Sequence, residues 1–265
     1  MGDKSSIEWT EATWNPTTGC DRISPGCDNC YALTLARRLK AMGQPKYQAD
    51  GNPRTSGPGF RLTLHDDAIN LPLTWRESRV IFVNSMSDLF HEDVPIDFIR
   101  RVFDVMRVTP RHTYQLLTKR SKRLARVGAE LEWPSNVWMG VSVESDRYAF
   151  RADHLRDVPA AVRFLSVEPL VGAVPTLDFT DINWVIVGGE SGHRARPLDI
   201  DWVIDICQRS NAAGAAVFLK QLGSVWAREN GYRGKAHEME LWPENLRKRD
   251  MPTPAVADVG DLVAT

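Results

Sequence analysis

The feature that most limits how this chain folds is a compact apolar run that keeps returning. Arg79–Asn84, Thr113–Thr118, Val137–Val143, Val162–Val167, Trp184–Val187 and Ala216–Leu219 are each short and rich in β-branched and aromatic residues. Such runs read as strands. Between them, apolar residues fall at helical spacing. In Ile96–Val108, the residues Phe98, Ile99, Val102, Phe103 and Met106 share one side. A basic helix starts at Ser121, another lies near Tyr148–Leu155, and a third spans Asp201–Ala213, stopped by Gly214. Strands that are apolar throughout are buried on both faces, as parallel βα units require. Six or seven such units fit in 265 residues, 43% of them hydrophobic. The expected class is α/β, a partial or complete parallel (β/α) barrel; a doubly wound open sheet is the alternative. One barrel domain is expected over 1–252. Residues 253–265 show no helical period and read as a flexible tail.

Upstream, Ile7–Trp14 reads as a first strand. Tyr31–Met42 carries Leu33, Leu35, Ala36, Leu39 and Met42 at helical spacing and is stopped by Gly43. Residues 44–59 are rich in Pro and Gly and read as a loop, with Phe60–Leu64 a short added strand.

Between that first strand and helix lies a loop, 19–31, holding three of the chain's four cysteines. Cys20, Cys27 and Cys30 are spaced C-x6-C-x2-C. A disulfide would strand the third thiol. A structural zinc wants four ligands, and no further Cys or His lies nearby. Three thiolates with a vacancy suit a [4Fe–4S] cluster with one open iron. Iron–sulfur is favoured, with zinc the alternative. Cys207 sits on the apolar face of a late helix and reads as a buried small hydrophobe.

Polar residues gather at strand ends: Ser85, Ser87 and Asp88; Lys119; Ser142 and Glu144; Ser166 and Glu168; Gly188, Gly189 and Glu190; Lys220 and Gln221. A parallel barrel brings all these ends to one face, where chemistry sits. His91 and Glu92 read as a solvated loop. The basic run Lys119–Arg126 is either a charged helix face or a phosphate contact.

The segment Trp14-Asn15-Pro16-Thr-Thr-Gly19-Cys20, running into Cys27-Asp-Asn-Cys30-Tyr31, resembles the cluster loop of the radical S-adenosylmethionine (SAM) superfamily. It is most similar to the spore photoproduct lyase-like branch. The chain also resembles a phage-associated family of uncharacterised proteins with a three-cysteine motif, through Asn84–Glu92, Leu117–Arg120, Gly140–Glu144, Gly188–Gly192 and Trp242–Arg247. One departure is the first spacing, x6 where x3 is usual in the superfamily.

The resemblance implies an enzyme whose cluster cleaves SAM reductively so that hydrogen is abstracted from a substrate. It implies SAM contacts at Ser85, Ser87, Asp88, Lys119, Ser142, Gly188, Gly189 and Glu190, and substrate contacts at Glu144, Glu168, Lys220 and Gln221. It also implies an electron donor such as a flavodoxin or ferredoxin, and DNA or RNA as substrate. The alternatives are an iron–sulfur protein for electron transfer or sensing, and a zinc-stabilised binding module. A net charge of −1 gives no global field for nucleic acid. No apolar run is long enough for a membrane span, and no signal-like stretch opens the chain. The expected location is the cytoplasm, the host's if the protein is phage-encoded.

Overall fold

The computed structural model of the chain describes Ser5 and residues 7–253. The tail from 254 lies outside the described residues. Elements follow in chain order: β1 (Ala12–Trp14), β2 (Thr17–Thr18), α1 (Tyr31–Ala41), β3 (Thr63–Leu64), α2 (Asp66–Ile69), β4 (Val80–Val83), α3 (Ile96–Arg107), β5 (Thr113–Thr118) and α4 (Ser121–Gly128). The second half comprises β6 (Val137–Ser142), α5 (Phe150–Arg156), β7 (Val162–Val167), β8 (Trp184–Gly188), α6 (Ile200–Ala212), β9 (Ala216–Gln221) and α7 (Gly223–Glu229). Seven strands form one sheet, ordered β1-β4-β5-β6-β7-β8-β9, every pair parallel. The order never reverses, so this is a curled half-barrel and not a doubly wound sheet.

Alternation along the strands sorts the two faces. Ile81, Val83, Tyr114, Leu116, Met139, Val141, Leu165, Val167, Val185 and Val217 pack outward under the helices. Phe82, Trp138, Val162, Phe164, Trp184, Ile186 and Phe218 point into the concave side, where Trp9 joins them. Ring centroids lie 4.8 Å apart for Trp9–Phe82, 5.5 Å for Phe164–Trp184 and 6.0 Å for Trp184–Phe218. Each such buried side chain contributes about 1.5–3 kcal/mol. Gly140 fits this layer because a Cβ there would sit 2.4 Å from the Phe164 ring. These rings floor the bore, and the polar strand ends stand above them.

Two elements differ from expectation. The first strand is only Ala12–Trp14; residues 7–10 turn so that Trp9 tucks beneath the sheet, where it covers apolar rings. The Phe60–Leu64 strand shrinks to Thr63–Leu64 and pairs antiparallel with Thr17–Thr18, outside the main sheet. No helix links β7 to β8. Leu170, Val174, Leu177, Phe179 and Ile182 bury that irregular connection against the sheet instead. The free edge of β9 is covered by the C-terminal segment, where Leu219 N donates to Lys248 O and Asp250 N to Val217 O, both at 2.9 Å. Among the described residues, no helix is long and apolar enough to cross a membrane.

Candidate functional site

The loop carrying the cysteines bridges the mouth of the half-barrel. Its first part is fixed above β4 and β5. Gly19 N donates to Met86 O at 2.9 Å, Ser87 Oγ donates to Gly19 O at 2.6 Å, and Arg120 Nη2 reaches Asp21 O at 3.3 Å. Gly19 has φ +83°, and a Cβ there would meet Arg61 O at 2.1 Å, so only glycine fits. The last part lies above β6 and β8. Gly26 N donates to Glu144 Oε1 at 3.3 Å, and Asn29 Nδ2 to Glu190 Oε2 at 3.0 Å. The long x6 gap spans the distance between these two anchorages. Ser24, before Pro25, is extended, as a residue preceding proline should be.

All four cysteines are free. Burial pushes the Cys20 thiol up to about 12, and the nearby Asp88 and Cys27 add to this, while Arg120 opposes it. Burial also raises Cys30; the Ala32 and Leu33 amides in the first turn of α1, with Lys119, work against that burial. The thiolate form therefore depends on positive charge brought to the loop. Among the described residues, no three His, Cys, Asp or Glu side chains converge on a single metal ion. Cys207 is buried in α6, its thiol pushed up to about 11 by burial, well apart from the loop's anchorages.

The expected site residues fall into three groups. The first lies beneath the cysteines. Lys119 Nζ donates to Ser142 Oγ at 3.0 Å, next to Gly26, where a Cβ would lie 3.2 Å from both Lys119 Cε and Glu144 Cδ. Glu144 is fully buried and is held by Arg151 Nη1 at 2.7 Å. Lys119 makes no ion pair among the described residues.

The second group lines the β7–β9 side. Lys220 Nζ is 3.3 Å from Glu168 Oε1, and Ser166 Oγ donates to Glu168 Oε2 at 3.5 Å. Gly188 makes room for this carboxylate, since a Cβ would sit 2.4 Å from Glu168 Oε1. Gly189 is hemmed in by Leu222 O, and Gln221 Nε2 donates to the Gly189 carbonyl at 2.8 Å.

The third group braces loops. Asp88 accepts from Thr118 Oγ1 at 2.7 Å, from Phe90 N at 3.0 Å and from Lys119 N at 3.3 Å. Ser85 Oγ donates to Asn15 Oδ1, and Ser87 takes a bond from Thr17 Oγ1. Glu190 is 5% exposed. Burial acts to raise its carboxyl, but Arg196 and Asn29 hold it below the usual carboxylate range.

Sequence reasoning missed Arg151, Arg196 and Asn29, and placed Arg120 only in the basic run. Of the three missed, Asn29 alone had a visible signal, lying between Cys27 and Cys30. His91 also differs from expectation. It is buried, with Nε2 3.0 Å from Asp21 Oδ2, because the loop after β4 packs on the cysteine loop; Glu92 beside it is exposed. In the basic run, Arg123 is bound to the Glu92 and Val94 carbonyls and Lys122 sits over the Phe150 ring at 6.0 Å.

No curated protein matches the chain in sequence. Solved structures of spore photoproduct lyase are similar to it. A cysteine-to-serine mutant is 13% identical with a TM-score of 0.48, over 84% of this chain and 59% of that one. A cysteine-to-alanine mutant with dinucleoside spore photoproduct is 14% identical with a TM-score of 0.46, over 80% and 63%. The chain spans about three-fifths of the length of these structures. A family profile matches residues 4–250, and the chain belongs to that family, described as "Protein of unknown function (DUF5131)".

Proposed function

We propose that the protein is a radical SAM-type enzyme holding a [4Fe–4S] cluster on Cys20, Cys27 and Cys30. One observation carries the reading: three free thiols on one loop span the mouth of a parallel half-barrel, beside Lys119, a cation with no ion-pair partner among the described residues. The donor set fits the group. Three thiols leave one iron for an exogenous ligand, while Arg120, Lys119 and the amides at the start of α1 offset thiolate charge. With SAM bound, a cluster on Cys20, Cys27 and Cys30 would supply the one-electron chemistry that cleaves SAM reductively and lets hydrogen be taken from a substrate.

The chain's own residues then bind and orient. Lys119, steadied by Ser142, takes the SAM carboxylate as a compact point charge. Ser85, Ser87, Asp88 and Glu190 hold the loops that shape the cofactor's seat, and Gly188 and Gly189 keep that wall thin. Glu168 and Lys220 line the side where a substrate enters, while Gln221 fixes Gly189 and Glu144 braces Gly26 behind them. DNA or RNA is the proposed substrate class, and a flavodoxin or ferredoxin the proposed electron donor. Free thiols at the site suit a reducing compartment, hence the cytoplasm.

The test is anaerobic reconstitution followed by incubation with SAM and a reductant. About four irons per chain and formation of 5′-deoxyadenosine are expected. In a binding titration, Lys119→Met should weaken SAM about tenfold with the iron content unchanged. Stoichiometric zinc in place of iron points to the binding module, and iron without SAM cleavage to electron transfer or sensing; either overturns the proposal.

A further inference from the structure

We infer that Arg196 is a positioning residue that clasps the Cys27–Cys30 half of the cysteine loop to the segment following β8. Arg196 Nη2 lies 2.6 Å from Glu190 Oε1, while its Nε and backbone N donate to Glu190 Oε2 at 2.9 and 2.8 Å. The guanidinium then crosses to the cysteine loop. Nη2 donates to Pro25 O at 2.9 Å, and Nη1 stands 3.7 Å from Asp28 Oδ2. Asn29 completes the clasp, donating from Nδ2 to Glu190 Oε2 at 3.0 Å and to Arg194 O at 2.9 Å.

Thus both residues between Cys27 and Cys30, together with Pro25, are tied to one segment more than 160 positions away. The planar fork of Arg196 suits this double duty, because it grips a carboxylate with two N–H groups and still has one to spare for a carbonyl. Glu190 is nearly buried, so the pair acts at reduced solvent screening. Cys20 has separate moorings, through Gly19, Ser87 and Arg120. Arg22 also pairs with Asp28 across the loop, but the moorings of the two halves to the barrel are separate, so the spacing between Cys20 and the other two thiols is set by two different parts of the barrel mouth. The segment 190–196 fixes where two of the three thiols stand.

The inference concerns the thiols themselves and needs the proposed cluster only for its purpose. Its test is therefore run on metal-free, reduced full-length protein, by measuring the rate of maleimide labelling at each cysteine by peptide mass spectrometry. Arg196→Ala should raise labelling of Cys27 and Cys30 about tenfold, the change expected when a charge-assisted bond holding a local closed state is lost. Cys20 and the buried Cys207 should label at the parent rate. Asn29→Ala should give the same signature more weakly. Arg196→Lys keeps the charge but loses the fork, and should restore only part of the protection. If all four cysteines speed up together, the variant has loosened globally and Arg196 has no local role. If none changes, the clasp does not hold the thiols. Either result overturns the inference, whatever metal the protein proves to carry.

Discussion

Arg151 Nη1 lies 2.7 Å from Glu144 Oε2, and both side chains are buried, at 3% and 0% exposure. Arg151 also donates to the Ser142 carbonyl at 2.7 Å and stacks 4.3 Å above the Tyr148 ring. Glu144 turns its second oxygen to Gly26 N in the cysteine loop. The pair therefore joins the wall of the barrel to the loop above it. Breaking a buried pair leaves a bare charge, which costs about 3–5 kcal/mol. Arg151→Ala should lower the unfolding free energy measured in urea by that order, and Arg151→Met with Glu144→Gln should recover part of it. An Arg151→Ala variant as stable as the parent would show that the pair contributes nothing.

Acid sensitivity should come partly from His112. Burial holds this imidazole below its ordinary value, and Arg111 and Arg79 act in the same direction. Nε2–H donates to Pro72 O at 3.2 Å, while Nδ1 is buried with no partner, so a second proton would arrive at an unsatisfied site. The folded state thus favours the neutral ring. This contribution is fully present above the unfolded value of about 6.5 and is lost as pH falls through it toward the lower folded value. Stability measured from about pH 7.5 down to 5 should fall less steeply in His112→Gln than in the parent. Parallel curves would remove His112 from the account.

The four cysteines should divide three to one. Serine at Cys20, Cys27 or Cys30 should each abolish or strongly reduce iron content and cluster absorbance after anaerobic reconstitution. Cys207→Ser should keep both, with a stability loss of about 1 kcal/mol from a hydroxyl in an apolar site. Loss of iron in Cys207→Ser to the same degree would mean four ligands and no open iron.

Nucleic-acid contact, if it runs along the start of α4, should rest on Lys122 and Arg126, since Arg123 is committed to backbone carbonyls. Replacing Lys122 and Arg126 by Gln should weaken binding to a short single-stranded DNA and flatten its salt dependence by about two charges. Binding that is absent at low salt, or indifferent to both changes, would favour a small-molecule or protein substrate.

The βα rhythm was legible because each of β5 and β7 is bounded by its own local chemistry; Thr113–Thr118 and Val162–Val167 match the expected strands to the residue. The sorting of Ser142, Ser166, Glu168 and Lys220 above the aromatic rings also follows from period two once the strands are parallel. What could not be read were the partners of these side chains: Glu190 takes bonds from Arg196 and from Asn29, 161 positions away, and Asp88 from Thr118. Trp9 looked like part of a strand because its β-forming neighbours outweigh the turn at 7–9 in any local count. In the β7–β8 link Leu170, Val174 and Leu177 fall at helical spacing, but Pro169, Gly172 and Pro175 interrupt the run, and its apolar residues cover the sheet without a helix.

The aromatic floor has a directional consequence. With Trp9 packed against Phe82 and Trp184, the concave side is filled by aromatic rings, and the polar strand ends stand only at the rim that the cysteine loop spans. Polar chemistry in this half-barrel is thereby confined to one edge of the sheet. A change among the rings should be felt as stability, and a change at the rim as recognition.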